Sequence, residues 1–460
     1  MTSPVNLARL RPPEVVLHTA KELIGSGVRQ DLVVLVFLRV WMLVDHSPIL
    51  LRIVTNTTPS RKLLAYGCKS LRQWSGPARP RADCGDALFC PARSQPHMPE
   101  RKRPLNIAMV GSGFIARAHS NAFHQVGHFV EVPVSLCTKV VFSRDHQKLQ
   151  AFAQQWEWQE TALEWESVVS RKDIDVVDIA VPNALHASIA LAAAKAGKIV
   201  LCEKPLALTV EEAAKMAEAV RILPNLVWFN YRRVPAIALA MQWIEEGRLG
   251  QIFHYRAYYF NQSGADPAKG QTWRYRRSEA GSGAVGDLLS HLVDTARYLN
   301  GDISELSAMT HTFAPQRDVD DAALAMARFA NGSIGSFEAS RFGVGRRNGN
   351  GFEIYGSKGS LAFDLEDMNR LQLFDATEPA ALQATKSMLV TGPDHPYSAI
   401  FWKPGHLVGY EHTFIATLGD FLVTLARQEP FHPNFDDGLK TQKIIAAVEA
   451  SAVSGVWTRV

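Results

Sequence analysis

Cysteine is scarce in this chain of 460 residues, which contains only five. None of the five stands at the short spacing of a zinc site, so no metal is expected. Their number and placement do not indicate a disulfide framework either, and the reducing cytoplasm is the simpler expectation. The five are Cys68, Cys84, Cys90, Cys137 and Cys202.

A long apolar run is lacking as well. The apolar stretch 32–44 has 13 residues and is interrupted by Arg39, whereas a membrane-spanning helix needs about 20. It begins too far from the N-terminus for a simple secretory signal, and no small-residue cleavage site follows it cleanly. A membrane partner is therefore not expected.

The charge is divided unevenly along the chain. Residues 1–103 contain 16 Lys and Arg against 7 Asp and Glu, whereas residues 104–460 contain 33 against 38. The larger part is therefore mildly acidic and shows no basic face of the kind that binds nucleic acid.

Residues 1–103 form a basic leader that needs separate treatment. From Pro59 onwards it is rich in Arg, Pro and Ser, a composition typical of disorder. We expect that residues 1–97 are not functional and that translation starts at Met98, just before the first predicted strand. A membrane anchor and a targeting leader are the alternatives.

The segment Ile107–Ala116 joins an apolar strand to the pattern G-x-G-x-x-A, which indicates a dinucleotide site. Gly111 permits a tight turn, Gly113 lets the backbone approach a pyrophosphate, and Ala116 keeps the following helix close to the sheet. The free N–H groups of that helix favour a phosphate, which adds Phe114 and Ile115 to the predicted cofactor site.

From Leu105 to about residue 230, short apolar strands alternate with helices, as in a doubly wound α/β domain with a parallel sheet. This first domain is predicted to span 104–230. The predicted strands are 106–110, 136–142, 176–181, 199–202 and 226–229, and the predicted helices are 115–125, 146–156, 187–196 and 210–221.

Beyond residue 230 the pattern changes to an α+β domain with a large, mostly antiparallel open sheet, predicted over 231–460. Asn331-Gly332 between two alternating runs is a strong hairpin signal. The other predicted elements are helices 235–246 and 287–299, strands 252–260, 324–329, 333–341, 352–355 and 360–364, and a loop over 262–283.

The end of the second strand is where such folds meet the adenosine ribose. Ser143, Arg144 and Asp145 stand there. A Ser and an Arg favour a 2′-phosphate, whereas an Asp favours a ribose hydroxyl, so the cofactor is predicted to be NAD or NADP. The alternative is that Arg144 and Asp145 only begin the next helix in solvent.

Two further segments follow strand ends and belong to the predicted cofactor site. The first contains Pro182, Asn183 and His186, and the second contains Glu203 and Lys204. Because a proline follows Lys204, its backbone is held extended, which helps to direct the ammonium. The alternative is an exposed, salt-bridged lysine.

Asp287 and His291 form a third group. On an α-helix these residues are i and i+4 and share one face, and Asp294 could lie on the same side. A carboxylate raises the pKa of a histidine and a nearby ammonium lowers it, so His291 is predicted to titrate near neutrality as a proton acceptor.

Taken together, these motifs resemble the glucose–fructose oxidoreductase, inositol dehydrogenase and MocA (Gfo/Idh/MocA) family over about residues 104–460. The resemblance rests on G-x-G-x-x-A with His119, on Glu203-Lys204-Pro205 and on Asp287-x-x-x-His291. It departs from the family in Leu289, where many members have Gly, and in a long connection over 127–136. It also covers segments 230–232, 273–274, 319–321 and 356–360.

The resemblance implies that Lys204, Asp287 and His291 are catalytic and that the open sheet forms a homodimer or homotetramer. The implied reaction is hydride transfer between a secondary alcohol of a sugar or cyclic polyol and NAD(P), with Asp287 orienting His291. An NAD-retaining glycosidase is the alternative, and a non-enzymatic NAD(P)-binding regulator belongs to a different class. Candidates for substrate contact are Arg232, Trp273, Arg274 and His406, of which Trp273 and His406 also suit a core and a loop position.

Overall fold

The computed structural model of the protein describes residues 104–266 and 272–460. The predictions for residues 1–103, including a start at Met98, lie outside the described residues. None of the helices in the described ranges is long and apolar enough to cross a membrane.

The first sheet has six parallel strands in the order β3–β2–β1–β4–β5–β6. This order is that of a Rossmann sheet, as the sequence predicts. All five predicted strands are present, and β3 is an additional edge strand. The strands are β1 (Leu105–Val110), β2 (Leu136–Phe142), β3 (Glu160–Ala162), β4 (Val176–Ile179), β5 (Ile199–Cys202) and β6 (Asn225–Val227).

Five helices accompany these strands, and four of them were predicted. The first continues through Gly127 to Phe129, so the expectation of a long connection over 127–136 was wrong. At the last, the hydroxyl of Thr209 caps the helix by accepting from the backbone N–H of Glu212. The helices are α1 (Phe114–Phe129), α2 (His146–Gln155), α3 (Trp165–Val169), α4 (His186–Lys195) and α5 (Val210–Ala219).

The second sheet has nine strands in the order β14–β13–β12–β11–β7–β10–β9–β8–β15. Its pairs are antiparallel except for β7 with β10. Asn331-Gly332 joins β9 to β10 as predicted, with Gly332 at a φ of 87°. The strands are β7 (Ile252–Phe260), β8 (Ile303–His311), β9 (Ala322–Phe329), β10 (Ile334–Ser340), β11 (Gly349–Gly356), β12 (Gly359–Asp364), β13 (Arg370–Asp375), β14 (Thr385–Leu389) and β15 (Thr458–Arg459).

The predicted single helix over 287–299 is two different elements. A π-helical segment, Val285–Leu289, contains Asp287, and an α-helix begins at Ser290. The loop predicted over 262–283 also contains a short helix. The remaining α-helices are α6 (Pro235–Glu245), α7 (Arg277–Ala280), α8 (Ser290–Asn300), α9 (Tyr410–Arg427) and α10 (Phe435–Ser454).

Side chains along the strands of the second sheet alternate between a buried face and an exposed face. On β9, Ala323, Ala325 and Ala327 are buried, whereas Leu324 and Met326 are exposed. The buried face packs against α8 and α10 in one core. The outer face of this sheet therefore carries apolar side chains in solvent.

Helix α9 lies far along the chain from the first sheet, yet it packs on it. Phe414, Leu418 and Phe421 of α9 share a buried core with Ile107 and Met109 of β1. The first sheet is thus covered on one side partly by a helix from the C-terminal region.

Candidate active site

A cleft of about 1080 Å³ lies at the carboxyl ends of β1, β2, β4 and β5 and extends to the second sheet. Ligands of open α/β sheets bind at this edge. Of the residues predicted to bind cofactor, all except His186 line the cleft. The lining includes Gly111, Gly113, Phe114, Ile115, Ser143, Arg144, Pro182, Asn183, Glu203, Lys204, Trp273, Arg274, Asp287 and His291.

The glycine turn has the shape that a diphosphate needs. Gly111 has a φ of 131°, and a β-carbon there would lie 2.2 Å from the carbonyl oxygen of Ala180. A β-carbon on Gly113 would meet no protein atom within 4 Å, so the space beside this residue is open. Gly113 also stands at the N-cap of α1, which has no side-chain cap and no acidic residue in its first turn. These residues fit a dinucleotide, because the free N–H groups of the helix face an open cradle.

The segment Ser143–Asp145, predicted to meet the adenosine ribose, leaves the choice between NAD and NADP open in the structure as well. The hydroxyl of Ser112 donates to Ser143 Oγ at 2.8 Å. Asp145 caps α2 by accepting from the backbone N–H of Lys148, and it also pairs with the Lys148 ammonium. Its carboxylate therefore already has partners, while Arg144 is exposed along the cleft wall.

The segment after β4 is fixed by two polar side chains. Asn183 donates to the carbonyl of Ala280 at 2.9 Å, which ties it to the second part of the protein. His186 is fully buried among the carbonyl oxygens of Val181, Pro205 and Leu206. We therefore find His186 behind the cleft, where it supports the loop backbone, and not in the cleft lining as predicted.

Lys204 meets Asp287 across the cleft. Its Nζ donates to the Asp287 carbonyl at 2.9 Å and to Asp287 Oδ1 at 3.3 Å. Arg341, almost fully buried, donates to Asp287 Oδ2 at 3.1 Å. Burial raises the pKa of Asp287, but Lys204, Arg341 and Arg274 outweigh it and hold that pKa well below its usual range. Asp287 is thus an anion between two cations.

His291 is buried near Lys204 and Asp287. Its ring packs against Tyr231 at 4.6 Å, Tyr259 at 6.0 Å and Phe229 at 6.2 Å between centroids. Burial, and next the ammonium of Lys204, hold the pKa of His291 well below 6.5, although Asp287 opposes them. The prediction of titration near neutrality was wrong. The aromatic rings around His291 exclude water, and the sequence does not reveal that these rings surround it. The imidazole is neutral at pH 7.

The expected contact between Asp287 and His291 is replaced by other partners. Because Asp287 lies in the π-helical segment, an i and i+4 pair does not stack as on an α-helix. Both oxygens of Asp287 accept from Lys204 and Arg341. Among the described residues, the ring nitrogens of His291 make no hydrogen bond, so they are available to a ligand.

A pair of tyrosines, which the sequence analysis missed as site residues, continues this wall. The hydroxyls of Tyr231 and Tyr259 lie 3.4 Å apart, and Tyr259 donates to Asn348 Oδ1 at 2.6 Å. All three residues line the cleft. Tyr231 stood in the motif that carried the resemblance, but the other two have no local signal.

The four predicted substrate contacts divide evenly. Trp273 and Arg274 line the cleft, with the guanidinium 4.6 Å from the indole centroid. Arg232 is buried away from it, held by Asp294 at 2.6 and 2.9 Å. His406 is exposed and donates from Nδ1 to the carbonyl of Lys403. The structure does not bring Arg232 or His406 to the cleft: the carboxylate of Asp294 holds Arg232, and the carbonyl of Lys403 accepts from His406.

A buried ionic cluster lies behind Lys204. His119, completely buried, stands between Asp178 at 2.8 Å and Glu203 at 3.1 Å. Trp228 donates from Nε1 to the same aspartate at 2.9 Å. The sequence analysis noted His119 as part of a motif only and missed Asp178 altogether, since Asp178 stands inside an apolar strand.

The comparisons with known proteins agree with this arrangement. A family model described as "Oxidoreductase family, NAD-binding Rossmann fold" matches residues 105–231, and one described as "GFO/IDH/MocA C-terminal domain" matches residues 237–362. The chain belongs to the Gfo/Idh/MocA family. Members with related sequences are NAD(P)-dependent oxidoreductases, and so is this protein. Its cofactor is NAD or NADP.

Relatives within the family are sugar dehydrogenases. Levoglucosan dehydrogenase of Pseudarthrobacter phenanthrenivorans is 39% identical over 383 residues, which cover 77% of this chain and 98% of that protein. The solved structure of levoglucosan dehydrogenase with NADH and levoglucosan is 40% identical at a TM-score of 0.76, covering 78% of this chain and 99% of that one. An oxidoreductase domain protein from Kribbella flavida is 42% identical at a TM-score of 0.76, covering 78% and 100%.

Within residues 104–266 and 272–460, no group of three or more His, Cys, Asp or Glu side chains could hold a metal ion.

Proposed function

We propose that this protein oxidises a secondary hydroxyl of a cyclic sugar, with an anhydrosugar such as levoglucosan as the first candidate and NAD as the hydride acceptor. One observation carries the proposal. Lys204, from the first sheet, and His291, from the helix beside the second sheet, line the same cleft as the open glycine turn at Gly113.

The chain's own residues divide the proton work. His291 is neutral at pH 7, so it accepts the hydroxyl proton of the substrate. The ammonium of Lys204 stabilises the alkoxide that develops on the substrate oxygen. Asp287 fixes that ammonium, and not the imidazole, because its carboxylate accepts from Lys204. When bound, NAD supplies the hydride acceptor.

The cleft also offers groups that suit a sugar. Trp273 presents an aromatic surface of the kind that stacks on a pyranose face, and Arg274 stands beside it. Tyr259 and Asn348 provide a hydroxyl and an amide in the lining of the same cleft. The related levoglucosan dehydrogenase was solved in complex with NADH and levoglucosan, which supports an anhydrosugar as the first compound to test.

The test is a panel of anhydrosugars, inositols and monosaccharides, each with NAD and with NADP, followed at the absorbance of the reduced nicotinamide. We expect turnover with at least one anhydrosugar and NAD. His291→Gln and Lys204→Met should each lower kcat by about 10²–10⁴-fold. His406→Gln is the matched control, because His406 is exposed outside the cleft. Wild-type turnover in either cleft variant would refute the mechanism.

The glycosidase alternative has no support in the comparisons or in the described residues. The same panel tests it with aryl glycosides, because a glycosidase frees the aglycone with no net change in reduced nicotinamide. Release of aglycone without reduction of NAD would overturn the dehydrogenase proposal.

We propose NAD over NADP because a related structure was solved with NADH. Arg144 is exposed and lines the cleft after β2, and an arginine after this strand favours a 2′-phosphate and hence NADP. Arg144→Ala should therefore lower the affinity for NADPH about tenfold, because one charge-assisted hydrogen bond is lost. The affinity for NADH should change by less than threefold. Equal losses for both cofactors would contradict this assignment.

We also propose that the outer face of the second sheet joins copies of this chain into a homodimer or homotetramer. The proposal is supported by exposed apolar side chains on neighbouring strands, since exposed apolar patches mark interaction surfaces. Those side chains are Met309, Leu324, Met326, Ile334 and Tyr355.

The domain limits remain our proposal: residues 104–230 hold the cofactor, and residues 231–460 hold the substrate and the oligomer contact. We place the protein in the cytoplasm, supported by the free thiols of Cys137 and Cys202. Fractionation of cells that express the full chain tests that location.

A further inference from the structure

The cluster of His119, Asp178 and Glu203 connects the interior of the first sheet to Lys204. His119 Nε2 contacts Glu203 Oε1 at 3.1 Å, and the backbone N–H of Lys204 donates to Glu203 Oε2 at 3.2 Å. The ammonium of the same lysine then reaches Asp287. An unbroken series of contacts therefore runs from the buried imidazole to the cleft.

The cluster is held on its other side as well. His119 Nδ1 contacts Asp178 Oδ2 at 2.8 Å, while Trp228 donates to Asp178 Oδ1. The indole of Trp228 stacks on the imidazole, with centroids 4.1 Å apart and planes at 24°. A cation over an indole is favoured. Two carboxylates and one aromatic face thus fix the position of a single ring.

An imidazole with a proton on each nitrogen suits this arrangement, because both ring nitrogens face carboxylate oxygens and an ionised carboxylate only accepts. Burying two carboxylates without a cation would be costly. One imidazolium supplies a hydrogen bond to each of them. The cluster is a charged structural unit at the base of the Lys204 loop.

We propose that His119 is a positioning residue for catalysis, which holds the backbone of Lys204 through Glu203 and thereby keeps the lysine ammonium at its place in the cleft. The proposal rests on the dehydrogenase function proposed above. It concerns a residue that does not line the cleft and has no part in the proton transfer itself.

The titration of this cluster gives the proposal a signature. Burial lowers the pKa of His119, but Asp178 and then Glu203 outweigh it and raise the pKa to about 9. The other groups that face the ring are Trp228 and Phe414, which do not titrate. Cys202, near both carboxylates, stays a thiol because burial, Glu203 and Asp178 raise its pKa well above the usual value.

The sign follows from the raised pKa. The contribution of the imidazolium is fully present below the ordinary histidine value of 6.5 and is lost as the pH rises through about 9. We therefore expect the kcat of the wild-type enzyme to fall as the pH passes about 9, at temperatures where the protein remains folded.

The experiment compares His119→Gln with His124→Gln. His124 lies on the same helix, α1, where its ring donates to the carbonyl of Trp156 and stands 4.0 Å from a carboxylate oxygen of the exposed Glu157; it does not line the cleft. In His119→Gln we expect kcat to fall about 10–100-fold, as a displaced catalytic group does. The fall of kcat near pH 9 should disappear, and the Kd for NADH, read from fluorescence, should change less than threefold. The control should match the wild type in all three measurements.

A double variant, His119→Gln with Glu203→Gln, separates positioning from general destabilisation. Two amides can hydrogen-bond to each other while the amide oxygen at 203 still accepts from the Lys204 N–H. We expect this pair to recover part of the kcat lost in His119→Gln. Should His119→Gln not fold, Glu203→Gln alone is informative, because loss of one carboxylate moves the fall of kcat to lower pH.

Crystal structures of the variants show the position of the Lys204 ammonium, and this measurement does not depend on catalytic activity. We expect the distance from Nζ to the Asp287 carbonyl to exceed 2.9 Å in His119→Gln. The inference is overturned if His119→Gln keeps the wild-type kcat, pH profile and lysine position. It is also overturned if NADH binding and unfolding change while kcat does not. If the wild type oxidises no sugar, the proposed function fails, whereas the lysine position still tests this inference.

Discussion

Asp287→Asn tests the charge balance of the cleft most directly. The substitution keeps the shape of the side chain but removes the anion that lies between Lys204 and Arg341. Breaking a fully buried ion pair by removing one partner costs about 3–5 kcal/mol. The Asp287 side chain is 33% exposed, and water screens part of the loss. We therefore expect the free energy of unfolding to fall by about 2–3 kcal/mol.

The same substitution affects activity for two reasons. The ammonium of Lys204 loses a carboxylate partner, and the pKa of His291 falls further because Asp287 is the group that raises it. A weaker proton acceptor and a less fixed ammonium should together lower kcat by about 10²–10³-fold. The assays are urea unfolding followed by tryptophan fluorescence and steady-state kinetics with the best sugar of the panel.

Asp302→Asn is the matched control. Asp302 also pairs with two cations, since it accepts from Arg297 at 3.0 Å and forms an ion pair with Lys440 at 3.7 Å, but its side chain is 57% exposed. We expect a loss of about 0–1 kcal/mol, as for other surface ion pairs, and an unchanged kcat. If Asp287→Asn were no more destabilising than Asp302→Asn and kept kcat within twofold, the reasoning about the cleft charges would be refuted.

Three further predictions concern other features of the molecule. Gly111→Ala should destabilise the fold by at least about 2 kcal/mol, because φ is 131° and the new carbon would lie 2.2 Å from the Ala180 oxygen; an unchanged urea midpoint would contradict this. Gly113→Ala should leave the urea midpoint unchanged, because the space beside this residue is open. It should weaken NADH binding about tenfold, because one close contact between the backbone and the cofactor is lost. Wild-type affinity in that variant would show that the cofactor does not approach Gly113. Met326→Asp should convert the oligomer into monomers in light scattering with kcat within twofold, and an unchanged mass would exclude this face as the interface.

The sequence predicted what depends on neighbours along the chain. The parallel sheet followed from short apolar strands, and the hairpin over β9 and β10 followed from Asn331-Gly332. The glycine turn was predicted because the tight backbone at Gly111 leaves a local signature. These features require only a few consecutive residues.

What depends on distant residues was missed or wrong. Arg341 lies 54 residues from its partner Asp287, and nothing local relates the two. The low pKa of His291 comes from burial beside Tyr231 and Tyr259, which sequence spacing does not reveal. The π-helical turn at Val285–Leu289 changed which residue Asp287 faces, although its sequence reads as an ordinary helix.

The charged residue after β6 shows the same limit. Arg232 stands near a strand end, a position typical of ligand contacts, and was predicted to meet substrate. Its two buried bonds to Asp294 instead join helix α8 to the segment after β6. Arg232 also donates to a second carboxylate, that of Asp437, which lies more than 200 positions further along the chain.

The packing of α9 has a consequence for how the protein is made. Phe414, Leu418 and Phe421 cover a face of the nucleotide-binding sheet, whose own strands end at Val227, well before α9 begins at Tyr410. During translation that face of the sheet stays exposed to water until α9 has been synthesised. A polypeptide interrupted before Tyr410 would therefore leave Ile107 and Met109, on the strand that leads into the glycine turn, without the side chains that cover them.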